Sequence, residues 1–162
     1  PRESIAYLVG HCAAPLFVDP VSTVKAEKLR GLLSHVHTLK PNRIEAELLS
    51  GVKITDDATL HQAAQALLDQ GVQRVFLSLG GDGVFAAQQG KTHLEPICKA
   101  EMRNATGAGD AMMASLVWSF LAGHGLAESC AAGTAAAAIA VESEETINPN
   151  MSAEAVIGRI SQ

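Results

Sequence analysis

The chain has 162 residues, of which 48% are hydrophobic and 18% charged, and a net charge of −5. This composition argues against global disorder and offers no basic footprint for sequence-independent nucleic-acid binding. Aromatic residues are 4% of the chain while alanines number 27, so the core is expected to consist of small and branched side chains, closely packed.

The elements can be read in chain order. Ser4 to Ala13 reads as helix, and Leu16-Phe17-Val18 as a short buried strand stopped by Asp19-Pro20. Ser22 to Leu33 is expected to be helical with Leu29, Leu32 and Leu33 on one face, and Val36 to Leu39 a strand ended by Lys40-Pro41. Asn42 to Leu49 is a short helix closed by Gly51. Asp56 or Asp57 caps a longer helix with Leu60, Ala63, Ala64, Leu67 and Leu68 at helical spacing, ended by Gly71. Val75 to Leu79 and Val84 to Gln88 are strands around a Gly80–Gly83 turn, with a third short strand near Thr92 to Pro96. Two long helices, Gly107 to Ala122 and Ala127 to Val141, and a short one from Ser152 complete the chain. Strands separated by helices imply right-handed crossovers and a mainly parallel sheet, to which the glycine-turned hairpin adds an antiparallel element. In such sheets ligands bind beyond the carboxyl ends of the strands. Asp19, Asn42, Ser78 with its glycine turn, and the Gly107 loop all fall at positions of that type.

The segment Asn104-Ala105-Thr106-Gly107-Ala108-Gly109-Asp110-Ala111 opens a helix with small residues. Unpaired N–H groups and the helix dipole at such a start favour an anion, and a carboxylate beside it can accept a proton from a hydroxyl. The same pattern fits a glycine-rich loop whose Asp110 stabilises the first helical turn. A carboxylate beside an anion hole is electrostatically costly unless a cation or a proton transfer accounts for it, which favours function. Asn42-x-x-Glu45 fits a helix capping box, with an N-cap residue and Glu at N3. Ser78-Leu79-Gly80-Gly81-Asp82-Gly83 is a turn after a buried strand, with Asp82 as a turn residue. The run from Cys130 to Ala138 is explained mostly by close helix–sheet packing.

Thr-Gly-Ala-Gly-Asp-Ala followed by a small apolar helix resembles the C-terminal signature of the PfkB, or ribokinase-like, carbohydrate kinases. The resemblance implies an incomplete three-layer α/β/α sandwich: one partial kinase domain over residues 1–162 carrying the nucleotide-binding half, with the N-terminal substrate and lid portion absent. It implies Gly107, Ala108 and Gly109 as the anion hole and Asp110 as the catalytic base. Asn42, Ser78, Gly80, Gly83 and Thr134 would contact ATP, and Glu45 would position Mg²⁺ through water. Many relatives hold a monovalent cation between the loop before the hole and the loop from Glu142 to Pro149. Asn104 stands where an Asp is common and lacks its charge, which puts potassium dependence in doubt. The runs Val18-Asp19-Pro20-Val21-Ser22, Leu39-Lys40-Pro41-Asn42-Arg43 and Thr146-Ile147-Asn148-Pro149 look most like the pseudouridine kinase branch, with ribokinase-like and other sugar or nucleoside kinases as alternatives.

Other classes are disfavoured. There is no GxxxxGK[ST], GxSxG or HExxH, and Met112 stands where GxGxxG needs its third glycine. His35 and His37 lack a third ligand nearby, and Trp118, Met112 and Met113 read as helix core. The odd, distant cysteines Cys12, Cys98 and Cys130 argue against a disulfide framework or zinc knuckle and fit a reducing cytoplasm. The uncharged stretch Ala111 to Ala127 holds Ser115, Ser119 and His124 and is a poor membrane span. No signal peptide opens the chain, which begins at Pro1, as a truncated or processed piece would. The expectation is a cytoplasmic kinase acting on a small molecule, with no nucleic-acid or membrane partner. The reading of a different class is a catalytically incompetent nucleotide-binding piece whose uncovered sheet edge invites homo-oligomerisation.

Overall fold

Short runs bounded by turn residues become strands in the computed structural model, which describes residues 1–161. β1 is Leu16–Val18, β2 Val36–Leu39, β3 Arg74–Ser78, β4 Val84–Gln88 and β5 Lys91–Glu95. They form one sheet in the order β1-β2-β3-β4-β5. β1 pairs parallel with β2, and β2 parallel with β3, with Leu39 opposite Val75. Gln89 and Gly90 alone link β4 to β5, both at positive φ, as a two-residue hairpin turn requires. The sheet is therefore mixed.

The helices are α1 (Arg2–His11), α2 (Thr23–Ala26), α3 (Arg43–Ser50), α4 (Asp57–Asp69), α5 (Ala108–Leu121), α6 (Leu126–Val141) and α7 (Ala153–Ile160). Asp56 caps α4 by accepting the Thr59 N–H, and Ser152 caps α7 through the Ala155 N–H. The helix expected over Ser22 to Leu33 is broken. α2 stops at Ala26, a 3₁₀ turn covers Glu27–Leu29, and a separate one covers Leu33–His35. Gly31 between them sits at φ +74°, where an α-helix cannot continue. Leu29 and Leu33 are still buried, so the leucine spacing is satisfied by two short turns in place of one helix.

The chain forms two compact units. The first comprises residues 1–80 and 85–92, the second 81–84 and 93 onwards. The core of the first joins Leu39, Val75 and Leu77 of the sheet to Leu33, Ala46, Leu49, Leu60, Ala63 and Leu67. Burying each leucine contributes roughly 2 kcal/mol. The second unit is built on α5 and α6, with Ala132, Ala135, Ala136, Ile139 and Val156 as its core. A Cβ on Gly133 would stand 3.2 Å from the Met112 side chain, so the alanine-rich helix is there for close approach. No helix of the described residues is long and apolar enough to cross a membrane.

Candidate active site

In the first unit the polar residues line up along the carboxyl ends of adjacent strands. Asn42 and Ser78 form an isolated parallel bridge just beyond β2 and β3. The Ser78 N–H and hydroxyl both donate to the Pro41 carbonyl, at 2.9 and 3.4 Å. One position back, the Lys40 ammonium is buried and pairs with Asp19 at 2.6 Å. The other Asp19 oxygen accepts the Val21 N–H at 3.1 Å. Ser22 donates to the Pro20 carbonyl across Val21, which is held at φ +65° in a strained γ-turn. This ion pair went unread in the sequence, since it depends on the β1/β2 register.

Asn42 and Glu45 satisfy the capping reading of their motif. The Asn42 Oδ1 accepts the Glu45 N–H and the Glu45 Oε2 accepts the Asn42 N–H, each at 2.9 Å, completing a capping box. Glu45 is 2% exposed, and its Oε1 is buried without a partner. A buried carboxylate oxygen left over from a cap is unfavourable unless something meets it. It suits Mg²⁺, a hard cation that takes oxygen ligands directly or through water. Among the described residues no group of three His, Cys, Asp or Glu could hold a metal by itself. A Mg²⁺ ion at Glu45 would therefore need phosphate oxygens and water to complete its shell.

Ser78 leads into Gly80 and Gly83. Gly80 has φ +64° and nothing within 4 Å of the Cβ position, so its backbone is approachable. Gly83, in the second unit, has a packing reason to be glycine: a Cβ would lie 2.0 Å from the Glu95 carbonyl.

α5 begins in the second unit without a side-chain cap. Its N-cap is Gly107 at φ +89°, followed by Ala108, Gly109 and Asp110 in the first turn. The first N–H groups of a helix have no intrahelical acceptor, so this start presents donors with only small side chains near them. Asp110 is exposed. Behind the turn, the Thr146 carbonyl lies 2.4 Å from where a Gly107 Cβ would be. The Asn104 Oδ1 accepts the Thr106 N–H at 2.9 Å, which fixes Nδ2 as the group that donates to the Glu144 carbonyl at 3.0 Å. An amide N–H facing that carbonyl does not fit a monovalent cation between these loops. Thr134 is buried in α6, where its hydroxyl donates to the Ala131 carbonyl at 3.1 Å and lies 3.8 Å from the Cys98 sulfur.

The structure thus brings Asn42, Glu45 and Ser78 together, and places Gly107, Ala108, Gly109 and Asp110 on one helix start. Thr134 is occupied with its own helix. The supports at Glu144 and Thr146 act through backbone carbonyls, so no residue type signals them.

The model of the pfkB family carbohydrate kinases matches residues 6–153. The chain is 39% identical over 161 residues to the pseudouridine kinase of Escherichia coli, covering 98% of this chain and 51% of that protein. A ribokinase crystal structure from Thermotoga maritima superimposes with a TM-score of 0.84 at 25% identity, over all of this chain and 54% of that one. A carbohydrate kinase from Agrobacterium tumefaciens gives 0.77 at 27% identity, over 99% and 51%. The chain spans about half the length of the curated relatives it matches. Its fold is the ribokinase-like α/β fold, and the chain belongs to the pfkB family of carbohydrate kinases.

Proposed function

We propose that this chain transfers the terminal phosphoryl group of ATP to a hydroxymethyl oxygen of a nucleoside, with pseudouridine as the leading acceptor. The observation that carries the reading is the uncapped start of α5, where donors and an exposed carboxylate share one turn. The likeness to a pseudouridine kinase at 39% identity supports the acceptor.

In this reading the acceptor oxygen attacks the γ-phosphorus in line as the bond to the ADP oxygen breaks. Asp110 takes the hydroxyl proton. The N–H groups of the Gly107–Ala108–Gly109 turn stabilise charge developing on the phosphoryl oxygens, already oriented and with little reorganisation. Asn42 offers its Nδ2 to the nucleotide, because its Oδ1 caps α3. Ser78 and Gly80 provide a polar edge and an approachable backbone for the nucleotide. Members of this family use ATP, typically with Mg²⁺. Bound Mg²⁺ would neutralise phosphate charge, and the free Glu45 oxygen would hold it through water.

The test is ATP consumption by the chain with pseudouridine, ribose and other nucleosides offered in turn. Turnover is expected only with an acceptor present. Asp110→Asn should reduce it about a thousandfold, within the range for a lost general base, and leave the melting midpoint unchanged. Full activity in Asp110→Asn would remove the base assignment. Mg·ADP binding with no turnover on any acceptor would leave a nucleotide-binding piece.

A further inference from the structure

The segment before α5 is fixed to the segment after α6 at several points. The N–H groups of Arg103 and Asn104 both donate to the Val141 carbonyl, at 2.8 and 3.2 Å. The Asn104 side chain then spans the gap, accepting from Thr106 on its own segment and donating to Glu144 on the other. Two residues further on, the Thr146 carbonyl backs Gly107 so closely that a methyl group cannot be placed there.

The supporting segment is itself anchored. Glu142 receives two hydrogen bonds from the Arg159 guanidinium, at 3.0 and 2.6 Å. Asn148 is buried, donates to the Ile139 carbonyl at 2.6 Å and accepts the Asn150 N–H at 2.9 Å. The carbonyls of Glu144 and Thr146 thus stand between two fixed ends. What they hold is the start of the Gly107–Asp110 turn.

We propose that Asn104 is a positioning residue: its side chain sets the Gly107–Asp110 turn against the 142–149 segment, and so aims the α5 N–H groups at the transferred phosphoryl group. The inference rests on the reading of that turn given above. A turn that is misplaced by an ångström loses donor geometry long before it loses the fold, because hydrogen bonds weaken steeply with misalignment. Asn104 needs both ends of its amide. An Asp keeps the acceptor for Thr106 but sets a carboxylate oxygen against the Glu144 carbonyl. An Ala removes both links.

The experiment compares the affinities of the chain for Mg·ADP and for the non-hydrolysable Mg·AMP-PNP, by titration calorimetry, in the parent, Asn104→Ala and Asn104→Asp. The ratio of the two reports the terminal phosphoryl group. The parent should bind Mg·AMP-PNP more tightly. In both variants Mg·ADP affinity should stay within about twofold, and Mg·AMP-PNP affinity should fall about tenfold, a loss of about 1.4 kcal/mol. Variants that melt at lower temperature yet keep the parental ratio would show a purely structural role and overturn the proposal. Should Asn104→Ala not fold, Asn104→Asp decides; should neither fold, the role is structural and the proposal fails. A parent that binds Mg·ADP but shows no preference for Mg·AMP-PNP would remove both the hole assignment and this inference. A parent that binds neither nucleotide would remove the kinase reading itself.

Discussion

α3 and α5 start in opposite ways. α3 closes itself: Asn42 and Glu45 exchange hydrogen bonds with each other's backbone within four residues. α5 has no side-chain cap and begins on a left-handed glycine braced by a carbonyl from residue 146. The difference separates two ways of making a site. A self-capped start is locally stable, and what it can offer a ligand is the leftover atom, here the buried Oε1 of Glu45. An uncapped start keeps its N–H donors available, but its geometry must come from distant parts of the chain.

That contrast is most easily broken at Gly107. Gly107→Ala combines a left-handed conformation with a Cβ placed 2.4 Å from the Thr146 oxygen. It should destabilise the second unit by about 2–4 kcal/mol, read by chemical denaturation. Gly80→Ala, where the Cβ position is open, should cost about 1 kcal/mol and serves as the control for conformation alone. Equal losses at the two glycines would mean that the Thr146 contact does not matter.

Glu45→Gln sharpens the other side. The amide oxygen can still cap α3, so melting should shift by less than about 1 kcal/mol. Mg²⁺ should then improve ADP binding about tenfold less than in the parent. An unchanged Mg²⁺ effect would reduce Glu45 to a capping residue. Asn42→Ala removes the cap acceptor and should cost about 1 kcal/mol of stability, with no dependence on Mg²⁺ in the ligand-free protein.

The smallest expected effect concerns pH. The Arg159 guanidinium holds the Glu142 carboxyl below its ordinary value of 4.5, chiefly by hydrogen bonding. A depressed folded-state value means that the contribution is complete above about pH 4.5 and is lost as pH falls through the lower folded value. The pair is partly exposed, so the loss is small. Denaturation midpoints measured from pH 6 to pH 3 should fall less steeply in Glu142→Gln than in the parent. Parallel slopes would show that ionisation of Glu142 adds no stability to the folded state.

Much of the frame was legible in the chain because its signals are local. Leu16–Val18 and Val84–Gln88 are largely apolar runs between turn residues, Val36–Leu39 is ended by Lys40-Pro41, and the strands have those limits. Asn42, Asp56 and Ser152 announce their helices through side chains that can reach only nearby N–H groups. The leucines at 29, 32 and 33 misled because burial constrains which residues turn inward, not which kind of turn carries them; Gly31 was the contrary signal. Val21 gives no hint of its positive φ, since β-branched residues avoid that region. The Asp19–Lys40 pair follows from the register of β1 on β2, and the brace behind Gly107 from two carbonyls. Such features belong to tertiary structure and leave no mark in residue type.

The most direct test of the account is thermal melting of the chain with and without Mg·ADP, with NAD as the comparison. A ligand that binds only the folded state stabilises it by about 2.7 kcal/mol at a hundred times its Kd. The account predicts one cooperative transition whose midpoint rises with Mg·ADP and ignores NAD. A cooperative transition indifferent to Mg·ADP would contradict it.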